Sequence, residues 1–344
     1  MIIIFVYLFL FILYNKYGDF MNKKVVVFGG GTGISFLVRG LKEFPVDITT
    51  VISVSDNGSS TGKLREEFFM PAMGDVRKVI VALSNANDEI KKLLQYRFDT
   101  YTDLNGHPVG NLIMAAMYNI TGSLKESIRV LGDFLNVRHK ILPLSEDYLT
   151  LMAETTSGDI IHGESEIGHD RRKIKKLFYD EEPNVDPEII SEILSCDLIV
   201  FSMGSLYTSL IPNLLSDDII SAIDKSKASI LYTCNAVDQV FETEDYTVGD
   251  HVEIIDKYLG KHKVDAVLAA DSKLPSLVLD KYIASENKSL VKIDEDKVAS
   301  LGCELIREDL LVIEGNYIRH NGLKLATSIF NYLMRWCCVF YYRN

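Results

Sequence analysis

Lys24-Val-Val-Val-Phe-Gly-Gly-Gly-Thr-Gly33 joins an unbroken apolar run to four glycines within five residues. A second run, Ile48-Thr-Thr-Val-Ile-Ser-Val-Ser55, leads into Asp56-Asn-Gly-Ser-Ser-Thr-Gly-Lys-Leu-Arg65. Continuous β-branched runs, rather than alternating ones, belong to strands buried on both faces, as in a parallel sheet. A glycine turn at the end of such a strand lets the backbone approach an anion, and the helix that follows aims free N–H groups at it. Two such junctions on neighbouring strands make one cleft suited to a nucleotide or another phosphorylated ligand.

Further apolar runs fall at 197–203, 229–234 and 265–270, and helical patterns at 33–42, 75–84 and 110–120. Alternating strand and helix makes βα units. The pattern predicts an α/β fold, Rossmann-like and doubly wound, with a mostly parallel sheet. Residues 141–182 break the rhythm: they are polar, divided by Gly158, Gly163 and Gly168, and read as a small β-rich insertion. The α/β pattern resumes at 186 and runs to about 334, giving one domain over 21–334 and a tail at 335–344.

Residues 1–14 are almost wholly apolar, and Lys16 is the first charge. The stretch lacks the basic start and cleavage site of a signal peptide, and is shorter than the ~20 residues of a bilayer-spanning helix. Met21-Asn-Lys-Lys leads straight into the first strand, so Met21 reads as the natural start and residues 1–20 as an extension outside the fold. A short membrane anchor is the disfavoured alternative, and Lys16, Lys23 and Lys24 would favour a cytoplasmic body for it too. The expected location is the cytoplasm. Across 344 residues, 36 Lys and Arg face 48 Asp and Glu, a net charge of -12 that argues against a nucleic-acid surface. Any bound anion is then gripped by local geometry. The five cysteines show no CxxC and read as reduced thiols.

The candidate ligand residues follow from the junctions. In the first loop they are Gly30, Gly31, Thr32 and Gly33. Gly29 and Gly31 fit a dinucleotide fingerprint, but its third glycine falls on Ile34. A plain strand-to-helix turn is the competing reading, and four glycines exceed what that requires. In the second loop the candidates are Asp56, Asn57, Ser59, Ser60, Lys63 and Arg65. Gly58 and Gly62 stand one residue too close for a Walker A motif, and Leu64 replaces its hydroxyl residue. Asp56 sits where an acid meets ribose hydroxyls or a metal. For Lys63 and Arg65, a solvated basic face is the competing reading.

Gly74-Asp-Val-Arg77 and His107-Pro-Val-Gly-Asn111 open the next helices. Asp75 reads as an N-cap as well as a ligand group, and Arg77 and Asn111 as residues that reach the same cleft. Ser202-Met-Gly-Ser-Leu-Tyr-Thr-Ser209 is a third strand–glycine–hydroxyl junction, contributing Gly204, Ser205 and Tyr207, and Asn235 ends another strand. No nucleophile elbow and no metal-site spacing is present. The catalytic residues are therefore unassigned.

These segments, with Val81-Ala-Leu-Ser84, Gln95-Tyr-Arg-Phe98, Gly110-Asn-Leu112, Gly204–Leu215 and Ile318-Arg-His320, resemble the YvcK-type gluconeogenesis factors, relatives of the CofD phospholactate transferases. The resemblance covers roughly 23–330. It implies a Rossmann-like cytosolic regulator that binds UDP-sugars such as UDP-N-acetylglucosamine, requires no cofactor, and serves cell shape and envelope precursor supply on gluconeogenic carbon. It points to Tyr282 and Arg319 as nucleotide-sugar contacts, to a protein partner in envelope synthesis, and to a homodimer by default. The chain departs from the family at Asp56-Asn57, at Ser202-Met203-Gly204-Ser205 and at Val237–Thr243. The alternative is a CofD-like transferase in which Asp56 and Asp75 hold Mg2+ while Arg65 and Arg77 neutralise phosphate. An NAD-dependent oxidoreductase is a third reading, weakened by the broken fingerprint.

Overall fold

The computed structural model describes residues 23–275, 279, 282, 288–314 and 317–341. The expectations for residues 1–20 and for Met21 as the start lie outside them. Three valines and a phenylalanine give β1 (Lys23–Gly29) two apolar faces, and its alternate side chains divide between two cores. Val25 and Val27 face one core with Ile34, Leu37 and Val79, whereas Val26 and Phe28 face the other with Ile189, Phe201 and Ile255. That division is what a doubly wound sheet demands.

The main sheet has seven strands. Beside β1 lie β2 (Val46–Ile52), then β3 (Lys140–Pro143) at the edge. On its other side follow β7 (Leu198–Phe201), β8 (Ser229–Thr233), β9 (Ala266–Ala270) and β10 (Glu304–Glu308). All neighbours are parallel. The chain winds outward from β1 to β3, returns, and winds outward again from β7, so the order reverses between β1 and β7. In open parallel sheets ligands bind at that reversal, beyond the carboxyl ends of the strands.

One face carries α1 (Gly31–Leu41), α3 (Gly74–Leu83), α5 (Val109–Thr121), α6 (Leu124–Phe134) and the last helix, α12 (Gly322–Tyr341). Gly40 lies so near the Gly322 carbonyl that a side chain there would collide with it, which seats α12 on α1. α2 (Ser59–Phe68) and α4 (Asp88–Gln95) fill the connection between β2 and β3. The other face carries α8 (Pro187–Ser195), α9 (Asp217–Lys225) and α10 (Val248–Tyr258), with α11 (Glu295–Ser300) before β10.

The insertion is a three-stranded antiparallel sheet, β5 (Ile160–His162), β4 (Leu151–Thr155) and β6 (Ile174–Tyr179), with the short α7 (Glu164–His169). Its sheet begins later than the expected 141, because Lys140–Pro143 pairs with β2 and belongs to the main sheet. The Leu177 N–H donates to Tyr258 on α10 at 2.9 Å and ties the insertion to the body. A hairpin of β11 (Leu311–Glu314) and β12 (Tyr317–His320) precedes α12, which continues beyond residue 334, the expected end of the domain. Cys196, Cys234 and Cys303 are buried free thiols, each pushed up to about 12 by burial.

Candidate functional site

The first and third glycine junctions meet at the strand-order reversal. Gly33 packs against the Met203 carbonyl without room for a Cβ, which draws the loops after β1 and β7 into contact. Gly204 has φ +148°, and Asn235 at the end of β8 holds both of its backbone polar groups. Gly204 N–H donates to Asn235 Oδ1 at 2.8 Å, and Asn235 Nδ2 donates to the Gly204 carbonyl at 2.7 Å. Beside this clamp opens a cleft of about 220 Å³, walled by Thr32, Gly33, Gly204, Asn235, Gln239 and the hairpin residues Arg319 and His320.

The cleft is walled by two cations and one carboxylate, Asp238, whose Oδ1 accepts from the Ser289 N–H at 2.7 Å. Arg319 is exposed on β12, its guanidinium 5.5 Å from the Tyr317 ring, and Lys288 enters the same wall. Neither has an ion-pair partner among the described residues. Tyr282 lies buried behind the hairpin with Leu311 and Ile318, so the two residues singled out by resemblance share one corner of the molecule.

The opposite flank is acidic. Asp75 accepts from the Gly31 N–H and from Lys78 Nζ, the latter at 2.9 Å, so it caps the first loop from α3. Gly31, at φ +63°, gives the turn that aims that N–H. Asp56 accepts from Gly58 N–H at 2.8 Å; burial first, then Asp75, pushes its pKa up. Glu164, on the insertion's α7, is pushed up to about 7 by burial, with Asp56 adding to it. Glu242 accepts from Ser205 Oγ and from Tyr207 N–H, and burial raises its pKa. Ser205 and Tyr207, expected at a phosphate, thus turn to a carboxylate of the chain itself. Among the described residues no three His, Cys, Asp or Glu side chains converge in a way that holds a metal ion.

The second loop is corrected in placement. Arg65 is buried, donating to the carbonyls of Ser55 and Leu149 and lying 4.0 Å over the Tyr148 ring. Arg77 Nε donates to Asn111 Oδ1 at 2.7 Å, Asn111 Nδ2 donates to Ser60 Oγ at 3.1 Å, and Ser60 meets His107 at 2.9 Å. These four form one buried network that joins α2, α3 and α5. Both arginines make these bonds to groups within the fold. Asn57 bonds the insertion instead, donating to Glu166 at 3.0 Å and accepting from Ser165 N–H at 2.7 Å. Ser59 and Lys63 are exposed. Sequence reasoning missed Glu164, Lys288 and His320 as parts of the site. Only His320 carried a signal, beside Arg319.

A larger hollow of about 370 Å³ lies beside β3, but its cations Lys125, Arg129 and Lys140 are already paired with carboxylates. It offers nothing for an anion to hold.

The model of the family described as 2-phospho-L-lactate transferase CofD matches residues 25–311. A gluconeogenesis factor of Bacillus subtilis is 39% identical over 91% of this chain and 98% of its own. One from Halalkalibacterium halodurans is 41% identical over 90% of this chain and 96% of its own. A crystal structure of a Bacillus halodurans protein superposes with a TM-score of 0.86 at 41% identity, covering 90% of this chain and 99% of that one. The chain belongs to the CofD family and, within it, to the YvcK-type gluconeogenesis factors.

Proposed function

We propose that this protein is a regulator that binds a nucleotide sugar of the UDP-N-acetylglucosamine kind in the cleft between Gly204, Asn235 and the β11–β12 hairpin. The observation that carries the reading is Arg319: an exposed guanidinium without an acid partner among the described residues, on the rim of a cleft at the strand-order reversal. A guanidinium grips a diphosphate through paired N–H bonds, and the glycine loops let backbone approach the same group. Binding of this kind would report precursor supply to a protein partner in envelope synthesis, in the cytoplasm. Among the described residues no helix is long and apolar enough to cross a membrane.

The second reading, transfer of a phosphorylated group, is favoured by Asp56 and Asp75. Both present oxygen donors, and Asp75 raises the pKa of Asp56, so a cation between them would relieve their repulsion. Two carboxylates suit Mg2+, which keeps most of its water and shares substrate phosphates. The ion would supply charge neutralisation at the phosphate. Here Asp56 and Asp75 would hold it, with Gly30 and Gly31 beside them.

Calorimetric titration with UDP-N-acetylglucosamine, GDP and NAD, each with and without Mg2+, separates the readings. Mg2+-independent binding of the UDP-sugar, weakened in Arg319→Ala, supports the regulator. GDP binding that needs Mg2+ would favour the transferase, and binding of NAD alone would sink both.

A further inference from the structure

Two residues of opposite charge on α3 hold the first glycine loop. Gly31 N–H donates to Asp75 Oδ2, and Lys78 Nζ, one helical turn further on, donates to Asp75 Oδ1 at 2.9 Å. A Cβ at Gly31 would lie 3.7 and 3.8 Å from the two Asp75 oxygens and 4.0 Å from Lys78 Nζ. Loop, carboxylate and ammonium therefore converge on one point. Asp56 approaches from the second loop. Its Oδ2 stands 3.2 Å from where a Cβ of Gly74, the chain neighbour of Asp75, would be, and its Oδ1 accepts from the Gly58 N–H at 2.8 Å.

Two neighbouring carboxylates repel one another and favour a positive charge between them. An i,i+3 ion pair in open water does little. This one differs, because its acid is also the cap of a glycine loop and only 13% of the Asp75 side chain is exposed, against 35% for Lys78. A divalent ion arriving at Asp75 meets three obstacles. Each carboxylate oxygen already has a donor. The ammonium repels a second cation at close range. Mg2+ gives up its water reluctantly, whereas the helix delivers the ammonium already tethered. Among the described residues no third His, Cys, Asp or Glu completes a metal-holding group, so no further ligand outweighs Lys78.

We propose that Lys78 is the resident counter-cation of the Asp56–Asp75 pair: its ammonium stands where the transferase reading places a divalent ion, and it keeps that ion out. The carboxylates then serve to hold the glycine loop in shape, and ligand binding at the reversal proceeds without Mg2+. The inference goes beyond the nucleotide-sugar reading, and its test contains no nucleotide, so either can fail alone.

The test is titration of the full chain with Mn2+, followed by electron paramagnetic resonance of the free ion, with Mg2+ as competitor. The wild type and Lys78→Arg, which keeps the charge, are expected to bind Mn2+ weakly. Lys78→Met keeps the apolar stem and removes the charge, and is expected to bind Mn2+ about tenfold more tightly than the wild type. Mg2+ should displace that ion, and adding Asp75→Asn to Lys78→Met should abolish the gain. Equal Mn2+ affinity in the wild type and Lys78→Met overturns the proposal, whether that affinity is high or low. A gain that survives Asp75→Asn overturns it too, because the ion then lies elsewhere. If Lys78→Met fails to fold, Lys78→Gln takes its place with the same expected result. Tight Mn2+ binding by the wild type that Asp75→Asn abolishes would show ion and ammonium sharing one carboxylate, and it overturns the proposal without any Lys78 variant.

Discussion

The two flanks of the strand-order reversal differ in how far their charges are already satisfied. On the acid flank Asp75 holds the Gly31 N–H and Lys78, Glu242 holds Ser205 and Tyr207, and Asn57 holds the insertion. On the cation flank Arg319 and Lys288 have no such partners among the described residues. A side chain whose bonds are complete within the fold is architecture, whatever motif it sits in. A polar group left incomplete in a cleft is where a ligand has something to gain. In the most motif-like loop, Asp56–Arg65, the side chains of Asp56, Asn57, Ser60 and Arg65 all make bonds within the fold.

The sharpest way to break this contrast is to remove an architectural arginine. Arg77→Met leaves Asn111 short of a donor in a buried network and is expected to destabilise the protein by about 2–4 kcal/mol. Thermal unfolding checks it. A variant that keeps full stability while losing ligand affinity would return Arg77 to the binding site. Arg319→Ala should do the opposite: about 2 kcal/mol lost from nucleotide-sugar binding, near 30-fold in affinity, with the melting temperature unchanged.

Titration gives a subtler comparison, because the flanks slope in opposite directions. Glu164 has its folded pKa raised from 4.5 to about 7, so between those values the folded state binds more protons than the unfolded one. Its contribution is present below pH 4.5 and is lost as pH rises towards 7. Glu164→Gln should flatten that loss and stabilise the protein at pH 8 by on the order of 1–2 kcal/mol, allowing for partial solvent screening. Denaturant midpoints at pH 5 and 8 check it. His320 has its folded pKa lowered from 6.5 to about 4, so its contribution is present above 6.5 and lost as pH falls towards 4. His320→Gln should weaken the loss between pH 6.5 and 4, measured the same way. Lys63→Ala, on the exposed face of α2, should change stability by less than about 0.5 kcal/mol. A loss of ligand affinity in that variant would show the second loop taking part after all.

The fold was largely legible because continuous apolar runs such as 24–28 and 197–203 need both faces buried, which a covered parallel sheet provides. β3 was missed for a physical reason. Lys140–Pro143 is four residues long at the sheet edge, with an exposed lysine at one end and a proline at the other, and carries no periodic signal. The site was legible as a place but not as a set of roles. Sequence puts Arg65 and Arg319 on an equal footing as cations near glycines. Only the fold shows that Arg65 faces two carbonyls and a tyrosine ring while Arg319 faces open solvent. Glu164 became a neighbour of Asp56 through the packing of an insertion, and no spacing within the chain announces that.

The most direct test of the contrast between the flanks is hydrogen–deuterium exchange of the full chain with and without saturating UDP-N-acetylglucosamine. The account predicts ligand protection in segments around Gly204, Asn235 to Gln239 and Tyr317 to His320, with little change around Asp56 to Arg77. Protection confined to Asp56, Asp75 and the insertion helix, with the hairpin unaffected, would contradict it.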